Sequence, residues 1–86
     1  MYYVYLLKSK RDNKLYIGQT NDLKRRLIEH NSGSNFSTKN RRPFELIYYE
    51  AYLSRQDTVI REKKLKKFKN SYKELKKRIS NSLERS

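Results

Sequence analysis

The chain has 86 residues, enough for one compact domain with a modest core and no more. Lys and Arg number 22 against 9 Asp and Glu; the formal charge of +13 opposes compaction and attracts polyanions, so nucleic acid is the expected partner. The absence of cysteine excludes disulfides and thiolate metal sites, and no segment sets a bulky apolar face against a purely basic one, as membrane-surface binding requires.

Tyr2 to Lys8 is short and rich in aromatic and branched residues, which predicts a strand. Its apolar start, Met1 to Leu7, is too short to span a membrane and lacks the charged region that opens a signal peptide, so a cytoplasmic protein is expected. Asp12-Asn13 supplies turn chemistry, and Leu15 to Gln19 is a second apolar run; together these predict an antiparallel hairpin. Alternation puts Tyr3, Tyr5 and Leu7 on one side of the first strand, and Tyr16 and Gly18 on one side of the second. The register that would bring those two sides together is open at this level.

Thr20 or Asn21 is expected to cap a helix running to about His30, with Asp22 in its first turn. Leu23, Leu27 and His30 fall on one face of it, and Arg26 sits one turn before His30. Asn31 to Asn40 has little periodicity and reads as a loop. Pro43 leads from the basic Lys39-Asn40-Arg41-Arg42 stretch into a third strand, Phe44 to Leu53. Ser54-Arg55-Gln56-Asp57 fits a capping box, so a second helix starts there, with Val59, Glu62 and Leu65 on its inward stripe and Ile60, Lys64 and Phe68 alongside. Ser71 with Glu74 repeats the capping pattern before a third helix striped by Tyr72, Leu75 and Ile79. Residues 80–86 are expected to fray beyond a single domain spanning 1–79. The predicted order is ββαβαα.

Glu62 is the most telling single residue. A carboxylate between Val59 and Leu65 on an inward stripe costs folding free energy unless a cation or hydrogen bonds satisfy it. A neighbouring Lys or Arg would do this; so would a hard divalent ion, which needs few carboxylates when water and phosphate oxygens complete its shell. Arg26 and His30, at i and i+4, are neighbours on the first helix. An arginine can grip a phosphate with two parallel hydrogen bonds, and a histidine can relay a proton near neutral pH. A helix-end histidine bonded to the last carbonyls is the competing reading for His30, and core packing is that for Tyr5 and Tyr16.

The ordered set of these residues resembles the GIY-YIG nuclease superfamily, in particular small members related to the nuclease domain of the bacterial excision-repair subunit UvrC. Tyr3-Val4-Tyr5 stands for the first motif half and Tyr16-Ile17-Gly18, after ten intervening residues, for the second. Arg26 lies ten residues past Tyr16 and His30 four further on, Arg42-Pro43 with Leu46-Ile47-Tyr48-Tyr49 matches the third strand, and Arg61-Glu62-Lys63 matches the helix glutamate. The sequence departs from the pattern in placing Tyr3 where the first half has glycine, and it offers no secure counterpart to a later asparagine.

The resemblance implies an α+β fold, a small three-stranded antiparallel sheet flanked by helices. It implies a metal-dependent endonuclease acting on DNA, with RNA left open and a link to DNA repair. One magnesium or manganese ion per site would be held by Glu62. Tyr5, Tyr16, Arg26, His30 and Glu62 would be the catalytic residues, either tyrosine serving as the base. Lys24, Arg25, Lys39, Arg41, Arg42, Lys63, Lys66, Lys67 and Lys69 are expected to hold the nucleic-acid backbone. A monomer or weak homodimer is expected, and the rival reading is a nucleic-acid-binding module that keeps the fold without catalysis.

Overall fold

The computed structural model describes residues 1–85. Three strands, β1 (Tyr2–Ser9), β2 (Leu15–Thr20) and β3 (Phe44–Tyr52), form one antiparallel sheet in the order β2-β1-β3. Helix α1 (Leu23–Ser32) follows β2, a short 3₁₀ turn (Lys39–Arg41) precedes β3, and α2 (Arg55–Lys67), α3 (Lys69–Arg78) and α4 (Ser80–Arg85) close the chain. Among the described residues, no helix is long and apolar enough to cross a membrane.

The central strand β1 buries four consecutive residues, Val4 to Leu7, because helices cover both of its faces. Val4 and Leu6 point to one side, where they meet Leu65 of α2, Leu75 of α3 and Ile79. Tyr5 and Leu7 point to the other, joining Phe44 under Leu23 and Leu27 of α1. Across the hairpin Tyr5 pairs with Gly18 and Leu7 with Tyr16, so the two tyrosine sides do coincide. On the β3 side the register slips between Leu6 and Leu7, leaving Ile47 out of step, and both Ile47 and Tyr48 pack with the α2–α3 core.

Two polar fastenings set the helices against this sheet. The Asn31 side chain mimics a strand partner for Phe44, its Nδ2 donating to the Phe44 carbonyl at 3.1 Å and its Oδ1 accepting from the Phe44 amide at 2.6 Å. This ties the end of α1 to the start of β3. On the opposite face Arg61 of α2 grips Glu50 of β3 with both ends of its guanidinium, at 2.9 and 3.0 Å. Burial pushes the Glu50 carboxyl up, but hydrogen bonds from Arg61, Tyr48 and Tyr52 prevail and hold it below its ordinary value. Burial followed by the bond to Glu50 pushes both of those phenols up to about 12. The Arg61–Glu50 clamp fixes the rotation of α2 and thereby the direction of the next residue, Glu62.

Several local expectations change. Asp22, not Thr20 or Asn21, is the cap of α1, its carboxylate accepting from the Arg25 amide at 3.0 Å; Thr20 Oγ1 instead accepts from the Asp22 amide at 3.1 Å. Helix α1 runs two residues past His30 and stops at Gly33, whose φ of 83° suits a residue without Cβ. Ser54 caps α2 as expected, though through its position and not through a side-chain bond. The buried stripe of α2 centres on Thr58 and Leu65, with Val59 half-buried, while Ile60 and Phe68 are 52% and 57% exposed. The third helix begins at Lys69, since Phe68 turns extended and its carbonyl accepts from the Ser71 amide, which puts Ser71 inside the first turn. Residues 80–85 do not fray: Leu83 packs on the Val4–Leu6 core and holds them as α4, with Ser86 outside the described residues.

Candidate active site

The face under α1 carries a chain of hydrogen bonds built on Tyr5. Its hydroxyl lies 2.9 Å from His30 Nε2 and 3.4 Å from Arg26 Nε, and His30 Nδ1 lies 2.8 Å from Thr38 Oγ1. Arg26 and His30 reach the same hydroxyl because they stand one helical turn apart on α1. His30 is wholly buried, its ring edge-on to Tyr16 at 5.0 Å and to Phe44 at 5.8 Å. Burial, reinforced by the Arg26 charge, lowers the His30 pKa, so the imidazole is held neutral. Arg26 Nε can only donate, so the Tyr5 oxygen accepts there; in the neutral His30 ring one nitrogen donates and the other accepts, so the Tyr5 and Thr38 hydroxyls play opposite parts toward it.

Gly18 makes this arrangement possible. It faces Tyr5 across the hairpin, and a Cβ at this position would overlap the Tyr5 hydroxyl. The glycine is needed for close approach and not for a left-handed backbone, since its φ is not positive. Tyr3 is not a strained replacement either: among the described residues only Asn13 and Gly33 have positive φ, and Tyr3 packs edge-on against Tyr49 at 5.8 Å.

Glu62 arrives from the other face of the sheet. Its Oε1 accepts from Gln19 Nε2 at 3.1 Å, its Oε2 lies 3.3 Å from Lys66 Nζ, and its side chain is 17% exposed. Gln19 follows Gly18 on the edge strand β2 and so points to the face opposite the Tyr5 cluster, the side from which Glu62 approaches. Burial raises the Tyr5 pKa against the opposing hydrogen bond and charge of Arg26, and the charges of Tyr16 and Glu62 add to the rise. Tyr2, Gln19, Thr20, Asn21, Arg55 and Thr58 line an open cleft of about 540 Å³.

Four of the five expected catalytic residues, Tyr5, Tyr16, Arg26 and His30, therefore form one cluster, while Glu62 stands apart from it on the α2 side, in contact with Gln19 and Lys66. Tyr16 touches Tyr5, His30 and Phe44 only through its ring, and its half-buried side chain makes no hydrogen bond to the described residues. Arg26 is 31% exposed and shares its guanidinium with Glu29 at 3.1 Å. No group of three or more His, Cys, Asp or Glu among the described residues could hold a metal, so a cation would rely on Glu62 as its one carboxylate. That donor suits a hard divalent ion that keeps water and phosphate oxygens.

The expected backbone-binding residues divide. Lys24, Arg25, Lys39, Arg42, Lys63, Lys66, Lys67 and Lys69 are exposed. Arg41 is committed to the fold: it pairs with Asp12 at 2.8 Å, holding that carboxyl down to about 2, and lies over the Phe44 ring. Lys66 is engaged with Glu62, Arg25 with Glu29 at 3.8 Å, and Arg42 with the Lys39 carbonyl at 2.7 Å. Sequence reasoning missed Thr38, Gln19 and Thr58. Their contacts link loop, strand and helix, so no local spacing announces them; the position of Gln19 directly after Tyr16-Ile17-Gly18 was the one available signal.

The model of the GIY-YIG catalytic domain matches residues 1–81, and the chain belongs to that family. Among its relatives, a UPF0213 protein of Bacillus pumilus is 40% identical over 75 residues, covering 86% of this chain and 76% of the relative. A UPF0213 protein of Streptococcus pneumoniae is 41% identical over 73 residues, covering 84% of this chain and 73% of the relative. The solution NMR structure of the UPF0213 protein BH0048 from Bacillus halodurans superposes with a TM-score of 0.53 at 35% identity, covering 87% of this chain and 81% of that one.

Proposed function

We propose that this protein is a divalent-metal-dependent endonuclease that hydrolyses phosphodiester bonds in DNA. The observation that supports the reading is the hydrogen-bonded set of Arg26, Tyr5 and His30 on one side of β2, with the largely buried carboxylate of Glu62 held by Gln19 on the other. A pure binder of polyanions has no use for a largely buried carboxylate on a strongly basic helix.

Glu62 would hold one magnesium or manganese ion, which when bound would supply Lewis-acid stabilisation to the scissile phosphate and the departing oxygen. Arg26, fixed at one end by Tyr5 and Glu29, presents its guanidinium to the non-bridging oxygens as negative charge accumulates. Tyr5 is an unsuitable base: it is 2% exposed, its hydroxyl is already engaged by His30 and Arg26, and burial favours its neutral form. It acts as a post for Arg26. Tyr16, with its hydroxyl unengaged by the described residues, takes the proton from the attacking water. His30, neutral and braced by Thr38, keeps Tyr5 in place. The exposed lysines of α2 and α3 grip the backbone without reading bases.

The direct test is incubation of the purified chain with plasmid, single-stranded and branched DNA, with manganese and with chelator. Nicking that chelator abolishes is expected. Salt-sensitive binding with no cleavage of any substrate would make this a nucleic-acid-binding module on the same fold.

A further inference from the structure

The metal-dependent reading raises the question of which atoms join Glu62 around the cation, and the hydrogen bonds of Gln19 answer it. Thr58, buried on α2, places Oγ1 2.6 Å from the Arg55 carbonyl and 3.2 Å from Gln19 Oε1. A hydroxyl has one proton, and the shorter contact, to an acceptor that can only accept, takes it. Thr58 Oγ1 is then left with lone pairs toward Gln19, where an amide NH₂ is a better partner than a carbonyl. The other end of the same amide lies 3.1 Å from Glu62 Oε1. Both neighbours of the amide therefore favour its NH₂, and only one can have it.

We propose that Gln19 is the second protein ligand of the divalent cation. Its amide turns over, so that Oε1 joins Glu62 Oε1 on the ion while Nε2 donates to Thr58. Positive charge between the two oxygens removes the repulsion that otherwise keeps the NH₂ on Glu62. The spacing suits this: magnesium binds oxygens at about 2.0–2.1 Å in octahedral geometry, which separates adjacent ligand oxygens by about 3 Å. The 3.1 Å between the amide end and Glu62 Oε1 is of that size, so the backbone need not move. The two ends of an amide have nearly the same shape, so the turn changes partners without changing packing. Gln19 and Thr58 also line the open cleft at this edge, which leaves room for water to complete the shell. Lys66, now 3.3 Å from Glu62 Oε2, stands where it can release the carboxylate as the ion enters.

Mn²⁺ titration of the full chain without nucleic acid, read by electron paramagnetic resonance, tests this apart from activity. Gln19→Leu should weaken Mn²⁺ binding by about ten-fold or more, the scale of losing a group that tunes a metal site. Gln19→Glu, which returns an oxygen, should bind at least as tightly as wild type. The Gln19 side-chain NH₂ resonances should move on addition of Mg²⁺. A Gln19→Leu protein that binds Mn²⁺ as wild type does, while Glu62→Ala does not, overturns the role of Gln19 and leaves the Glu62 reading standing. Mn²⁺ binding that is indifferent to Glu62→Ala overturns both.

Discussion

Gly18→Ala perturbs the tightest packing in the site while leaving the backbone at ease. In a strand of ordinary φ, replacing glycine by alanine stabilises by about 0.5–1 kcal/mol, because the unfolded chain loses freedom. Here the new Cβ would overlap the Tyr5 hydroxyl and stand 3.0 Å from Tyr5 Cε2. Tyr5 cannot swing away freely, being 2% exposed and bonded to both His30 and Arg26. Overpacking of this kind costs about 1–3 kcal/mol. Displacing the hydroxyl also strips the buried His30 Nε2 of its partner, for about 1–3 kcal/mol more. The net expectation is a loss of about 2–4 kcal/mol, which lowers the Tm of a domain this size on the order of 10–20 °C. Thermal and urea denaturation followed by circular dichroism measure it, with and without Tyr5→Phe. Tyr5→Phe frees the ring from both tethers, so the alanine should cost less in that background, with a coupling of about 0.5–3 kcal/mol. A neutral Gly18→Ala, or a cost identical in both backgrounds, would refute the reasoning.

His30 should give the fold a pH dependence of definite sign. Its pKa is lowered in the native state, so the unfolded chain binds the extra proton first; the stability it contributes is present above about pH 6.5 and is lost as pH falls through the lowered native value. Urea midpoints between pH 7 and 5 should therefore fall on acidification for wild type, and less steeply for His30→Gln. Arg26→Ala should reduce kcat by about 10²–10³ with little change in KM, since its main contact is with charge that develops late; a pure KM effect would make it an ordinary phosphate clamp. Exchanging the exposed Lys63, Lys67 and Lys69 for glutamine should lower the salt slope of DNA binding by about 2–3 with no change in Tm, measured by fluorescence anisotropy across a salt series.

How far the sequence reveals the site depends on whether a contact is local. Arg26 and His30 are legible because helical spacing alone stacks them, and Tyr5 with Tyr16 because strand alternation assigns each a side. The hairpin register, which decides that Tyr5 meets Gly18, needs the turn geometry and could not be fixed in advance. At the start of α1 the sequence offers Thr20 or Asn21 as the cap, and the folded backbone instead puts Asp22, expected in the first turn, at that position. On α2 the expected stripe holds at Glu62 and Leu65 but not at its first position, where Thr58 is buried more deeply than Val59 because its hydroxyl bonds to the Arg55 carbonyl. The C-terminal segment is expected to fray; in the structure Leu83 of α4 packs against the Val4–Leu6 core. Thr38 lies in a loop without periodicity and matters only because α1 delivers His30 to it.

The central claim is that Glu62 serves a cation in catalysis and not merely the fold. Its carboxylate is bonded to Gln19 and Lys66, so Glu62→Gln, which keeps the shape and loses the charge, separates the two roles. The decisive measurement is the manganese-dependent cleavage rate of wild type and Glu62→Gln on the same DNA, with binding of that DNA measured in parallel. Cleavage lost with binding and Tm nearly unchanged is the predicted result. Equal rates from the two proteins would contradict the account.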